Sequence, residues 1–316
     1  MAYKIDDRNK NLIAIVDDEL IPREKASIPI WDSGFLHGKQ IWSSPRLING
    51  KIFRLKDHLE KIRHGIESIH CPIPDDAEFV HAIRKVLKAN NMQGATGVHI
   101  RIVYTPGTQV TASMNKKAIV NWDGTPAKPR IIVMPEWRGM ETVYDGVKGE
   151  KAIISKLYRR PSPQFGDQRI HSNNQIHSSL ACDEASQAGV AAALMLDADG
   201  YLAESHASHM AIVKNNVFYT PHVSCCPPGV TRKVLLEICN ANSIEAHEDN
   251  ISVDRLFDAD EVMIMGTMSG PIAITHVDDK AIGKGDIGPM TTRLKKLYTE
   301  AMMDEQNLSD IFAEDG

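Results

Sequence analysis

Four short apolar segments, separated by tight polar turns, lie within residues 192–220 and most constrain the fold of this 316-residue chain. The segments read AALMLD, YLAES, MAIVK and VFYT, and the turns among them include DADG and KNN. Gly, Asn and Asp favour the tight turns that join neighbouring strands. A region so dense in strands is not typical of a doubly wound parallel sheet, and it predicts an α+β fold.

Composition excludes several classes of function. The net charge is -5, and no long run of Lys and Arg supplies the concentrated basic surface that phosphate backbones require. No apolar run reaches the roughly 20 residues of a membrane span, and the first residues resemble neither a signal peptide nor a transit sequence. The five cysteines lack CxxC spacing, which argues against a disulfide framework or a zinc knuckle. We therefore expect a cytoplasmic protein that binds neither nucleic acid nor membrane.

The length and the spacing of apolar residues predict two domains. An Asn-Gly pair at residues 49–50, between apolar runs, predicts a hairpin. Helical spacing predicts helices over residues 56–69, 76–90, 174–188, 231–242 and 289–303, and the segment KAIISKLY at 151–158 predicts a strand. We place a small N-terminal α/β domain at 1–134, a connector at 135–140, and a large C-terminal α+β domain at 141–316.

Eight motifs follow one another along nearly the whole chain. They are DSGFLHG, NGKIFRLKDHLEKI, LACDEASQAG, LDADGYLAES, YTP, PPGVTRKVL, ADEVMIMGTMSGPIAI and IGKGDIGPMTTRL. Their order and gaps resemble the class IV aminotransferases, which include branched-chain, D-amino-acid and (R)-amine enzymes. The resemblance implies the two-domain type IV fold of pyridoxal-phosphate enzymes, that of D-amino-acid aminotransferase, and a homodimer.

The resemblance implies a cofactor pocket in the C-terminal domain. Val230 and Thr231 begin a helix whose first N–H groups suit a phosphate. Gly266 and Thr267, at the end of a predicted strand, stand where the family completes its phosphate cup. Glu204 stands where the family places the carboxylate that pairs with the pyridine nitrogen of pyridoxal phosphate.

Several positions depart from the family's pattern, among them the aromatic–acid pair that is Trp42 and Ser43 here, and one departure concerns the residue that carries the family's chemistry. The family's lysine lies three or four residues before an Asn, here Asn174, so that His171 or Ile170 takes its place. That lysine forms an imine with the cofactor and moves a proton, whereas histidine has no primary amine and acts only as an acid or base. Gln175 replaces a tyrosine, and Lys61 replaces the phosphate-binding arginine without its bidentate fork.

The resemblance also implies a substrate site. Arg46 and Arg101 stand where the family gathers its contacts to a substrate carboxylate. The remaining pocket positions are Trp42, His99, Gln175, His209 and Met268. A small amino acid, keto acid or amine is the expected ligand.

Three interpretations remain open. In the favoured one, the protein is an enzyme without a lysine imine, with or without pyridoxal phosphate, and His171 is its acid and base. In the second, a pyridoxal-phosphate aminotransferase uses another lysine, Lys156 being the nearest, or condenses the cofactor directly with substrate. In the third, the protein is a non-catalytic binding or regulatory relative.

The segment SHASH places His206 and His209 close to Glu204 in the chain. Together with His171 these side chains have the chemistry of a metal site or of an acid–base relay. Polar pocket residues without a metal are the preferred interpretation.

Overall fold

The computed structural model describes residues 6–138 and 148–313. Their contacts divide them into two units, the first comprising 6–138, 170–174 and 305–313 and the second 148–169 and 175–304. The boundaries proposed from sequence remain predictions, and residues 139 and 140 of the connector lie outside the described residues. Residues 170–174, which include His171, group with the first unit although they follow part of the second in the chain.

The described residues contain strands and helices in the following order. The strands are β1 (Ile13–Val16), β2 (Glu19–Pro22), β3 (Ile41–Ser43), β4 (Arg46–Ile48), β5 (Lys51–Phe53), β6 (Val98–Thr105), β7 (Arg130–Trp137), β8 (Glu150–Ile154), β9 (Ala192–Leu196), β10 (Leu202–Ser205), β11 (His209–Lys214), β12 (Val217–Pro221), β13 (Ala246–Asp249), β14 (Glu261–Gly266), β15 (Gly270–Val277), β16 (Lys280–Ala281) and β17 (Leu308–Ser309). The helices are α1 (Ser33–His37), α2 (Leu55–Ser68), α3 (Asp76–Ala89), α4 (Ile176–Gln187), α5 (Val230–Ala241), α6 (Val253–Phe257) and α7 (Pro289–Met303).

The first unit is built on a sheet of eight strands in the order β17-β5-β4-β6-β7-β1-β2, with β3 also paired to β6. β4 and β5 form the predicted hairpin, and Asn49 and Gly50 both have positive φ, 49° and 76°. That pair of conformations is typical of a two-residue turn whose twist matches the strands. Buried residues of α2 and α3, among them Ile62, Phe79 and Ile83, join the strands in one apolar core.

The second unit is built on a nine-stranded mixed sheet in the order β10-β9-β8-β15-β14-β11-β12-β13, with β16 beside β15. β8 runs parallel to β9 and β15, and β12 runs parallel to β13. β11 and β14 lie next to each other in antiparallel register, which buries Ile212 and Ile264 in the unit's main core. The strand-rich region at 192–220 therefore forms β9 to β12, as the sequence predicts.

The helices follow the predictions to within two residues at each end. Helix α3 begins with a capping box, in which the Asp75 N–H donates to Glu78 Oε1 over 3.0 Å. Within residues 6–138 and 148–313, no helix combines the length and the apolar composition that crossing a membrane requires.

The predicted strand over residues 151–158 is wrong at its end. β8 stops at Ile154, and the chain then bends. The carboxylate of Glu184 on α4 causes the bend, because it accepts hydrogen bonds from Ser155 Oγ at 2.7 Å and from the Lys156 N–H at 2.9 Å. Lys156 consequently lies exposed in the bend and not on the strand.

Candidate functional site

The segment that carries His171 is attached to the edge of β3 in the first unit. The Trp42 N–H donates to the His171 carbonyl over 3.0 Å, and Ile41 forms an isolated bridge with Ser172. Ile170 packs against the apolar core of the first unit. Of the two candidates for the lysine position, Ile170 therefore packs in the core of the first unit, whereas the role of His171 stays a prediction.

Trp42, His171 and Arg101 form an aromatic stack in the first unit. The ring centroids of Trp42 and His171 are 3.8 Å apart with the planes inclined by 41°, and the Arg101 guanidinium carbon lies 3.9 Å from the Trp42 ring. Trp42 Nε1 also donates to the Ser172 carbonyl over 3.1 Å. A cation on an aromatic ring is favourable, so the stack holds the Arg101 charge in a defined place.

A backbone hydrogen bond fixes which nitrogen of His171 carries the proton. His171 Nδ1 lies 2.6 Å from the carbonyl oxygen of Trp42, and a carbonyl oxygen can only accept. Nδ1 is therefore the donor, and in the neutral ring the lone pair lies on Nε2. This is the tautomer that a general base requires when Nε2 is the working atom.

Arg46 and His99 lie opposite each other across β4 and β6, and both are buried. His99 Nδ1 is 3.7 Å from Glu136 Oε2. Burial lowers the pKa of His99, whereas the nearby His99 ring, followed by the Arg138 charge, lowers the pKa of Glu136 to about 2. Lys61 lies partly buried on α2.

His58 belongs to the same unit, although it is not among the predicted site residues. Its Nδ1 is 2.7 Å from the Ser43 hydroxyl, and both side chains are buried. Burial, assisted by the charge of Lys61, lowers the pKa of His58 to about 3. The imidazole is therefore neutral at ordinary pH. Only its apolar setting, which the sequence does not display, identifies it.

In the second unit Glu204 forms a buried ion pair with Arg160, a residue missed by the sequence prediction. Arg160 Nε lies 3.1 Å from Glu204 Oε1, and the side chains are 4% and 11% exposed. The same guanidinium donates to the Cys225 carbonyl at 3.0 Å, to His177 Nε2 at 2.8 Å and to Ser178 Oγ at 2.9 Å. Burial and the Arg160 charge lower the pKa of His177 to about 4, so that its ring accepts as a neutral base.

Glu204 also belongs to a group of side chains whose types and spacing could hold a metal ion. One carboxylate oxygen of Glu204, one ring nitrogen of His209 and Cys226 Sγ all lie within 4.8 Å of one another. His206 is not a member, because its Nδ1 accepts a hydrogen bond from the Ala193 N–H over 3.2 Å. Of the side chains that the sequence offered for the alternative of a metal site, the group contains Glu204 and His209, and it adds Cys226. His171 groups with the first unit.

The predicted phosphate-binding residues lie at the start of α5 and the end of β14. Helix α5 begins at Val230 after Gly229, and no side chain caps it. Thr231 Oγ1 is 3.3 Å from the Tyr298 hydroxyl. An uncapped helix start offers N–H donors to an anion, so these residues fit a phosphate.

The other predicted residues of the second unit are also located. Gly266 is the last residue of β14, and Thr267 and Met268 follow it in a partly buried turn. Gln175 immediately precedes α4 and is partly buried. Their roles stay predictions.

Comparison with known proteins identifies the family. A sequence profile described as Amino-transferase class IV matches residues 44–277. The chain is 34% identical to "Branched-chain-amino-acid aminotransferase-like protein 2" of Arabidopsis thaliana over 291 residues, 92% of this chain and 50% of that protein. It is 28% identical over 271 residues to the branched-chain-amino-acid aminotransferase of Pseudomonas aeruginosa, which covers 84% and 82% of the two chains. The chain spans about half the length of the Arabidopsis relatives that it matches.

Solved structures agree on the fold. The branched-chain amino acid aminotransferase of Escherichia coli superimposes with a TM-score of 0.85 at 22% identity, over 96% of this chain and 100% of that one. The T.th. branched-chain amino acid aminotransferase with pyridoxamine 5'-phosphate gives 0.83 at 25% identity, over 96% and 99%. The predicted α+β fold, that of the type IV branched-chain aminotransferases, is confirmed. The chain belongs to the class IV aminotransferase family.

Proposed function

We propose that this protein is an aminotransferase-like enzyme for a small amino acid, keto acid or amine, in which His171 moves the proton and no lysine is joined to a cofactor. The observation that carries the proposal is the hydrogen bond from His171 Nδ1 to the Trp42 carbonyl, 2.6 Å long. It orients the ring and assigns the lone pair to Nε2, as a general base requires.

The aromatic stack supplies a second requirement, a cation for a substrate carboxylate. Arg101 lies 3.9 Å from the ring of Trp42, and Trp42 lies against His171. A guanidinium binds a carboxylate through two parallel hydrogen bonds, which fixes the orientation of the bound acid. One stack therefore holds both the proposed acid–base group and a charge that selects acidic substrates.

The residues fit pyridoxal phosphate only in part. The T.th. structural neighbour is described with pyridoxamine 5'-phosphate, and the uncapped start of α5 suits such a phosphate. Glu204, the expected partner of the pyridine nitrogen, already forms an ion pair with Arg160. A histidine at position 171 offers no amine to an aldehyde. The proposal therefore assigns the cofactor no covalent attachment and no step.

The two other interpretations have weaker support. Lys156, the nearest replacement lysine, is exposed in the bend after β8, where no described side chain buries it. A purely binding relative would not require a histidine held in one tautomer by a backbone carbonyl. Both interpretations become outcomes of the experiment below.

The experiment combines spectra and variants of the full chain. The absorbance of the protein as purified, and borohydride reduction followed by peptide mass mapping, reveal any pyridoxyl group on a lysine. A panel of amino acids, keto acids and amines then identifies turnover. His171→Gln should lower kcat roughly 10²–10⁴-fold, the usual contribution of general acid–base catalysis. Lys156→Ala is the matched control and should leave kcat unchanged.

Three results would overturn the proposal. A borohydride-fixed lysine would establish the ordinary cofactor linkage. Unchanged turnover in His171→Gln would remove the proposed base. Ligand binding without turnover on the whole panel would favour the binding relative.

We also propose a homodimer. Ile30, Trp31 and Phe35 are 67%, 48% and 62% exposed within six residues of the first unit, an apolar concentration typical of an interaction surface. Light scattering of the full chain should give twice the mass of one subunit, and Phe35→Asp should shift it towards the monomer. A monomer at all concentrations would contradict this proposal.

A further inference from the structure

We propose that Glu204, His209 and Cys226 bind a divalent zinc-type cation in the second unit, a site that goes beyond the proposed function and does not depend on it. A carboxylate oxygen, an imidazole nitrogen and a thiol sulfur lie within 4.8 Å of one another. Among the residues that the structure describes, no other three side chains of these types form such a group.

The spacing of the ligand atoms is close to that of a zinc site. Zinc bonds of about 2.0–2.3 Å in tetrahedral geometry place neighbouring ligand atoms roughly 3.3–3.8 Å apart. The largest separation here is bounded by 4.8 Å, so closure onto a cation requires the side chains to move by about 1 Å. Side-chain rotation supplies a movement of that size.

A tight turn holds two of the ligands side by side. The Ser205 N–H donates to the Ser208 carbonyl over 2.7 Å, and the Ser208 N–H donates to Ser205 Oγ over 2.9 Å. Glu204 precedes this turn on β10, and His209 follows it on β11. The hydrogen bonds of the turn therefore hold the backbones of Glu204 and His209 side by side, and their side chains can still rotate.

The chain around Cys226 fixes the third ligand and the orientation of the second. Cys226 is fully buried, and two prolines restrict the backbone immediately after it. Gly229 then passes so close to His209 that a Cβ at this position would overlap the imidazole ring. The absence of that Cβ gives the His209 ring its place.

Arg160 completes the site as a support for the carboxylate. Its Nε lies 3.1 Å from one oxygen of Glu204, and a carboxylate offers about four lone-pair sites in all. Carboxylates that bind metals are commonly hydrogen-bonded by such an outer group, which orients them. Three hydrogen bonds to Cys225, His177 and Ser178 hold the guanidinium itself in place.

The donor set selects the class of cation. A mixture of sulfur, nitrogen and oxygen suits Zn²⁺ and its neighbours, whereas Mg²⁺ and Ca²⁺ prefer oxygen alone. When Cys226 binds the cation, its S–H bond breaks, the proton passes to solvent, and a Zn–S bond forms. Three protein ligands leave the fourth tetrahedral position for water or a small ligand.

The test is a titration of the chelator-treated full chain with Zn²⁺ and with Co²⁺. One Zn²⁺ per chain should bind in competition with a chromophoric chelator. Co²⁺ should produce a sulfur-to-cobalt charge-transfer band. Cys226→Ser should abolish the band, whereas Cys225→Ser, which leaves the backbone carbonyl to Arg160 intact, should retain it.

Substitutions at His209 and His206 distinguish the proposed ligand from the neighbouring histidine. His209→Gln should weaken Zn²⁺ binding roughly 100-fold or more. Even the loss of a residue that only hydrogen-bonds to a metal ligand commonly weakens binding about 10–100-fold. His206→Gln is the matched control and should leave the affinity unchanged. Gly229→Ala should weaken binding about 10-fold by displacing the His209 ring. Circular dichroism confirms that each variant is folded.

The site is disproved if Zn²⁺ and Co²⁺ do not bind stoichiometrically to the folded chain. Binding that Cys226→Ser and His209→Gln both leave unchanged would equally overturn it. Neither measurement uses turnover, so failure here is distinct from failure of His171 as the catalytic base.

Discussion

The two units hold their candidate site groups in different ways. In the first unit His171 is held by a neutral backbone carbonyl and by the ring of Trp42. In the second unit Glu204 is held by the charge of Arg160. A group held by neutral partners keeps the freedom to exchange a proton, whereas a group held in a buried ion pair is fixed as a structural anion or as a ligand. The difference supports our two proposals, proton transfer by His171 in the first unit and cation binding beside Glu204 in the second.

The largest expected effect comes from breaking the buried ion pair. Arg160→Met leaves Glu204 and the partners of the guanidinium without their donor, and it should lower the free energy of unfolding by about 3–5 kcal/mol. Urea denaturation measures the change. The adjacent Arg159 is exposed, so Arg159→Met is the matched control and should cost under about 1 kcal/mol. Equal effects of the two variants on the free energy of unfolding would contradict a stabilising role for the buried Arg160–Glu204 ion pair.

The free energy of unfolding should fall with pH because His58 is neutral in the folded first unit. The pKa of His58 is about 3 in the fold, against an ordinary value of 6.5. As the pH falls below about 6.5, His58 becomes protonated in the unfolded chain, whereas in the folded chain it stays neutral until about pH 3. Stability is therefore complete above that window and is lost as the pH falls, by about 2 kcal/mol between pH 7 and pH 5.

His58→Gln checks this prediction, because glutamine does not titrate and keeps a polar partner for Ser43. Urea denaturation at pH 7 and pH 5 should show that the variant has lost about 2 kcal/mol of the pH dependence. His81→Gln, at a side chain 62% exposed, serves as the control. An unchanged pH dependence in His58→Gln would argue against the neutral buried imidazole.

A smaller effect should follow from removing one hydrogen bond of the aromatic stack. Trp42→Phe keeps an aromatic ring but loses the bond from Nε1 to the Ser172 carbonyl, which should cost about 1 kcal/mol of unfolding free energy. Trp122 is 91% exposed, and Trp122→Phe should change almost nothing. If both variants unfold alike, the stack does not anchor the segment that carries His171.

The smallest effect should come from an exposed ion pair. Arg169 Nε lies 2.9 Å from Asp167, and the arginine side chain is 53% exposed. Arg169→Ala should change the free energy of unfolding by less than about 0.5 kcal/mol, because solvent screens the pair. Together with Arg160→Met, this variant measures how much burial adds to an arginine–carboxylate pair in the same unit. A cost above about 2 kcal/mol would contradict the contrast.

Local pattern was sufficient for the elements and the family. The Asn49–Gly50 turn and the periodic apolar residues of α2, α3, α5 and α7 act within a few neighbouring residues, and the structure contains each of them. The end of β8 was missed because its cause, the carboxylate of Glu184, comes from a distant helix.

Residue type and spacing were enough to predict the α+β class and the family motifs, and to single out His171 as a candidate. The surroundings of the candidate groups, in contrast, depend on the tertiary structure. It brought Arg160 and Cys226 to Glu204, turned His206 away, and attached residues 170–174 to the first unit. Those choices depend on strand register and on tight turns that join residues far apart in the chain, and no local preference encodes them.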